Sequence, residues 1–104
     1  MVTVIVYDVR ELCQAIHISE HCLIEIVEHG IVEPEGDSIA EWVFDTQALA
    51  LVRKAVRLQR DLELDWTATA LAINLLEQID QLHSDNEYLK QRLKRLELAQ
   101  IKLI

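Results

Sequence analysis

Glycine and proline are scarce in this chain: two glycines and one proline, Pro34, in 104 residues. That scarcity argues against a loop-rich or low-complexity chain, and the 51% apolar content is enough to build a core. Cysteine is equally rare. Cys13 and Cys22 are too few for a disulfide scaffold. The start, MVTVIVYDVRE, has neither the basic region nor the apolar length of a secretory leader, and no later run approaches membrane-spanning length. The expectation is a cytoplasmic protein in a reducing compartment, without a membrane partner. Gly-rich phosphate loops, nucleophile motifs and metalloprotease motifs are missing too, so no enzyme is expected and no cofactor. The most telling shortage is of basic residues in the front half. Residues 1–50 carry ten acids against Arg10 alone, a net −9, whereas residues 51–104 come to +1. An acidic front half repels phosphate backbones and anionic lipid and attracts a basic surface.

The residues that are present read as helices with brief extended pieces. Val2 to Tyr7 is short and β-branched, which predicts an edge strand. Asp8 can then cap a helix over Val9 to about His17, with Leu12, Cys13 and Ile16 as its buried stripe. Ser19 is a second N-cap, opening a helix through Cys22, Leu23, Ile26 and Val27 that stops at Gly30. The turn between the two is short, as in a helix-turn-helix. Pro34 and Gly36-Asp37 mark a turn, and Glu41 to Phe44 reads as a returning strand, which together predict a small β-hairpin, or wing. Asp45 caps a third helix from Thr46 to about Leu62, apolar along Ala48, Leu51, Val52, Ala55, Val56 and Leu58. Asp65 caps a fourth, with Trp66 in its first turn.

The fourth helix carries the most regular pattern. Leu75, Leu82, Leu89, Leu96 and Leu103 recur every seven residues, interleaved by Ile79, Asn86, Leu93 and Gln100. Three to four such heptads predict a coiled coil and a homodimer, with Leu75, Ile79, Leu82, Asn86, Leu89, Leu93 and Leu96 in the seam; the alternative is a helix folded back on its own domain, which a seam this long outruns. Asn86 sits where one buried amide can fix register. The organisation expected is residues 1–66 as a winged helix-turn-helix-like domain and residues 67–104 as a dimerisation helix.

Three chemistries are weighed against this plan. Cys13, His17 and Cys22 are spaced so that a metal is conceivable, but both cysteines fall on apolar stripes, where free thiols are usually buried, and no metal is expected. Trp42, Phe44 and Trp66 have apolar neighbours and read as core rather than as ligand platforms. The architecture invites DNA, since a winged regulator lays its second helix in the major groove. Such a helix needs Arg or Lys there. The second helix here offers Glu20, Glu25 and Glu28, no Lys or Arg lies between Arg10 and Arg53, and the wing from Glu33 to Glu41 is acidic. The sign is wrong for specific nucleic-acid binding.

With these residues set out, the chain resembles the MerR-like winged helix-turn-helix proteins through Ile18-Ser19, Leu23, Gly30 to Pro34 and Trp42 to Asp45. It departs from them where they carry basic and aromatic recognition residues. The resemblance is closer to the CbpM family of bacterial chaperone modulators. Ile18-Ser19-Glu20, Glu25-Ile26-Val27 with Val32-Glu33-Pro34, and the run from Trp42-Val43-Phe44-Asp45 through Ala55 to Leu58 and Leu62 to Trp66 carry it. The resemblance implies a mainly α fold: a MerR-like winged helix-turn-helix with a short β-hairpin wing and a long C-terminal coiled-coil helix. It also implies a role, binding the J-domain of the DnaJ-like co-chaperone CbpA and blocking its engagement of the Hsp70 chaperone DnaK. J-domains dock on Hsp70 with a basic helix, so Glu20, Glu25 and Glu28, supported by Glu33, are the residues expected to imitate the Hsp70 surface. A MerR-like DNA-binding transcription regulator is the alternative.

Overall fold

The computed structural model describes residues 4–103, the side chain of Leu103 excepted. Val2 and Thr3 of the expected strand, and the side chain of Leu103, the last leucine of the heptad series, therefore lie outside what is described. The order is β1 (Val6–Asp8), α1 (Val9–Ile16), α2 (Glu20–Glu28), a 3₁₀ turn (Ile39–Glu41), β2 (Val43–Asp45), α3 (Thr46–Leu62) and α4 (Trp66–Leu103). Cα packing divides the chain into two compact units after Ile73.

Each helix starts where a short oxygen-bearing side chain can satisfy an orphan N–H. Asp8 accepts from the Glu11 N–H at 2.8 Å while the Glu11 carboxylate accepts from the Asp8 N–H at 3.2 Å, a reciprocal box. Ser19 Oγ accepts from the Cys22 N–H at 3.1 Å, and the Asp45 and Asp65 carboxylates cap Ala48 and Ala68 at 2.8 and 2.7 Å. The ends differ in kind. α2 stops at Gly30, φ +73°, with Gly30 N–H bonded to Val27 O and Ile31 N–H to Ile26 O. This pairing satisfies the last carbonyls and brings Ile31 over Ile26, both buried. α1 and α3 end on left-handed His17 and Glu63, where no glycine is present to relieve the turn.

β1 and β2 pair antiparallel, Val6 with Asp45, Tyr7 with Phe44 and Asp8 with Val43. The strand expected from Val2 through Tyr7 is thus shorter among the described residues, beginning only at Val6. The reason lies in the partner, because beyond Asp45 the chain turns into α3 and offers Ile5 no ladder. The returning strand begins at Val43 rather than Glu41, since Ile39–Glu41 is taken by the 3₁₀ turn. The wing closes through a single rung, Glu35 with Val43, whose two N–H···O bonds measure 3.2 and 2.9 Å.

The core of the first unit collects Leu12, Leu23, Ile26, Phe44, Val52 and Ala55, all at most 1% exposed, with Cys13, Ile16 and Val56 around them. Trp42 meets Phe44 edge to face, ring centroids 6.4 Å apart, and both Trp42 and Trp66 pack partly buried against the core. Thr69 and Ile73, on the first turns of α4, complete it. Thr69 is a polar residue buried without penalty because its hydroxyl donates to Asp65 O at 2.8 Å. The second unit is helix alone, and every described residue from 77 to 102 is exposed. Among the described residues, no helix is long and apolar enough to cross a membrane.

Candidate functional site: the acidic face of the second helix

α2 turns its apolar residues inward because Leu23 and Ile26 are three apart and face one way. At about 100° per residue, Glu20, Ile24, Glu28, His21 and Glu25 then fall within about 140° on the opposite side. Glu20 and Glu28 are exposed and Glu25 is partly covered. Ile24, half-buried, lies among them, so the face combines carboxylates with an apolar spot. His21 Nε2 lies 2.8 Å from Glu25 Oε1, and His29 Nδ1 lies 2.7 Å from Glu25 O. Both imidazoles are exposed, and they hold the two ends of one residue. No other ion pair is found among the described residues. The carboxylates of Glu20 and Glu28 are therefore left to solvent, available to an incoming cation.

Of the four glutamates singled out in the sequence, three share α2 and the fourth does not. Glu20 opens onto a shallow groove with Asp8, Arg10 and the exposed Ile39 of the 3₁₀ turn. Glu33 lines a different hollow, with Glu35, Asp45, Val4, Val6 and Val43 around the β1–β2 ladder. The acidic surface of the first unit thus comes in two parts, the outer face of α2 and the sheet side of the wing.

The seam residues lie together along α4. Leu75, Ile79, Leu82, Leu89, Leu93 and Leu96 are 49–63% exposed, and Asn86 is exposed among them. Cys13 is buried and Cys22 half-buried, and His17 is exposed at the end of α1. Among the described residues no three His, Cys, Asp or Glu side chains gather as a metal-binding group. Burial pushes both thiols up: Cys13 is raised further by Glu20 and Cys22, and Cys22 is raised further by Glu25 and lowered by Arg60. Both shifts disfavour the thiolate, the nucleophilic form.

Two features went unread in the sequence. Ile31 and Val32, given no place in the expected core, are core residues, which the two consecutive β-branched side chains after Gly30 could have signalled. Arg53, Arg57 and Arg60 recur at i, i+4 and i+7 on α3, a spacing that places them on one exposed stripe.

Comparison with known proteins agrees with this architecture. The profile of the MerR HTH family regulatory proteins matches residues 7–91. The chaperone modulatory protein CbpM of Pseudomonas putida is 51% identical over 88 residues, 85% of this chain and 87% of its own length. That of Pseudomonas entomophila is 53% identical over the same shares, and that of Salmonella paratyphi B is 40% identical over 91 residues, 88% of this chain and 90% of its own. A winged helix-turn-helix with acid where a DNA reader carries base, matched along most of its length by these modulators, belongs to the CbpM family of chaperone modulatory proteins within the MerR HTH group.

Proposed function

We propose that this chain binds the J-domain of a DnaJ-like co-chaperone, CbpA, and inhibits it by occupying the surface that engages the Hsp70 chaperone DnaK. The observation that carries the reading is the sign of α2. Its outer face presents Glu20, Glu25 and Glu28 around Ile24, where a DNA reader would present Arg or Lys. A basic J-domain helix meets there the kind of surface it meets on Hsp70. Ile24 and neighbouring apolar groups contribute most of the affinity, and the carboxylates set orientation and on-rate. Glu33, on the wing, adds to the field from its own hollow. The protein acts by binding rather than by catalysis, and as a homodimer through the seam of α4.

The test is a titration of CbpA into wild type and into Glu25→Lys/Glu28→Lys, alongside Hsp70 ATPase stimulated by the co-chaperone. Wild type should bind and abolish the stimulation. The double reversal should bind about tenfold more weakly at low salt, with a flatter salt dependence. Equal affinity at low salt would remove the α2 face from the interface. Recovery of duplex DNA instead of a J-domain protein would restore the transcription-regulator reading.

A further inference from the structure

The first unit carries a second charged surface, of opposite sign. Arg53, Arg57 and Arg60 project from one stripe of α3 and line a groove against the end of α1. His17 stands at its edge, and buried Ile16 and Val56 form its floor. The acids outnumber the bases in this chain by eighteen to ten. Even so, none of the three guanidinium groups is ion-paired among the described residues, where the one ion pair is His21 with Glu25. Asp61 lines the same groove without engaging any of them. Three unengaged guanidinium forks over an apolar floor match carboxylates carried on an amphipathic segment, since each fork can take a carboxylate two-pronged while the floor takes a side chain.

α3, which carries the stripe, packs against α2, which carries the acidic face, and half-buried Cys22 is near enough to both Glu25 and Arg60 for each to act on its thiol. The first unit therefore presents adjoining negative and positive surfaces. A polyanion such as duplex DNA fits this poorly, since it would meet Asp61 in the groove and the carboxylates of α2 elsewhere on the same unit. A protein whose own surface is basic next to acidic fits both.

We propose that the groove of Arg53, Arg57 and Arg60 docks an acidic segment of the same partner whose basic surface engages α2, so that one ligand is held at two points of opposite charge. This rests on the function proposed above and assigns it a second contact. Two-point docking would add a second constraint to the orientation that the α2 carboxylates set.

The experiment is calorimetric titration of full-length CbpA into wild type, Arg53→Glu/Arg57→Glu and Arg53→Lys/Arg57→Lys, with a fluorescent 20-base-pair duplex as a second probe. Circular dichroism confirms that each variant keeps its helix. Expected is about a tenfold or greater loss of CbpA affinity in the glutamate variant. The lysine variant should lose less, because it keeps the charge and loses the fork. If wild type binds CbpA and the glutamate variant binds within twofold of it, the groove is not a contact and the function stands without it. If wild type binds duplex and the glutamate variant alone loses it while keeping CbpA, the groove is a phosphate site and the proposal is overturned. If wild type does not bind CbpA at all, the function itself falls, and the second contact falls with it.

Discussion

Gly36 holds φ at +116°, a region that side-chain-bearing residues rarely adopt, and a Cβ placed on it would lie 2.6 Å from the carbonyl oxygen of Glu41. Both neighbours of that contact are backbone, so relief requires the 3₁₀ turn to move. The turn is tied to the single Glu35–Val43 rung next to Gly36, and the rung leads into β2. Gly30 differs, because at φ +73° its Cβ would meet nothing within 4 Å. The two glycines therefore separate conformational strain from steric conflict. Gly30→Ala should lower stability by about 1 kcal/mol through the left-handed backbone alone. Gly36→Ala should cost more, about 2–3 kcal/mol, and should also loosen the wing. Urea denaturation of both variants checks the ranking, and equal losses would mean the wing yields to Gly36→Ala without cost. The left-handed His17 and Glu63 show that this chain does carry such strain at helix ends, where the Schellman-type bonds of Ile18 to Cys13 and Leu64 to Gln59 repay it.

At the scale of elements, Asp45 is the joint of the first unit. It ends β2 opposite Val6, and its carboxylate opens the seventeen residues of α3 by accepting from Ala48 N–H at 2.8 Å. Asp45→Ala should therefore cost about 1 kcal/mol, within the range known for N-caps, and Asp45→Asn should restore most of it because the amide oxygen accepts the same bond. Thermal melts of the two variants decide this, and an undiminished melting temperature in Asp45→Ala would show that β2 pairing alone orients α3. The caps were legible in the sequence because they are local: Asp8, Ser19, Asp45 and Asp65 each sit three residues from the N–H they satisfy. The strands were less so. The length of β1 is set by where β2 runs into α3, a fact of tertiary pairing that the β-branched run from Val2 to Tyr7 does not contain. The extent of the wing depends likewise on the 3₁₀ turn that Gly36 permits.

At the scale of the whole molecule, charge placement was readable and charge clustering was not. Counting acids in the front half was enough to mark α2 as the wrong sign for DNA, and the 3.6-residue repeat was enough to put Glu20, Glu25 and Glu28 opposite Leu23 and Ile26. The groove of Arg53, Arg57 and Arg60 escaped because its floor comes from α1 as well as α3, and averaging over residues 51–104 hides a basic stripe in a net charge of +1. The heptad repeat of α4 was legible in the sequence, and the exposure of its leucines gives the repeat an energetic meaning. Residues 77–102 are solvated all round among the described residues, whereas most helical stability in proteins comes from packing an amphipathic face. Six half-exposed or more exposed aliphatic side chains in one line are covered most simply by the same line on a second copy. Wild type should then sediment as a dimer. Leu82→Asp/Leu89→Asp, which puts one carboxylate on each side of Asn86, should sediment as a monomer and lose part of its helical signal at 222 nm. The first unit should keep its cooperative unfolding, since none of its core residues lies beyond Ile73. A wild-type monomer with full helical signal would show that α4 stands without a partner. A variant that stays dimeric would move the interface from the seam to the first unit, and the leucine repeat would then need another explanation.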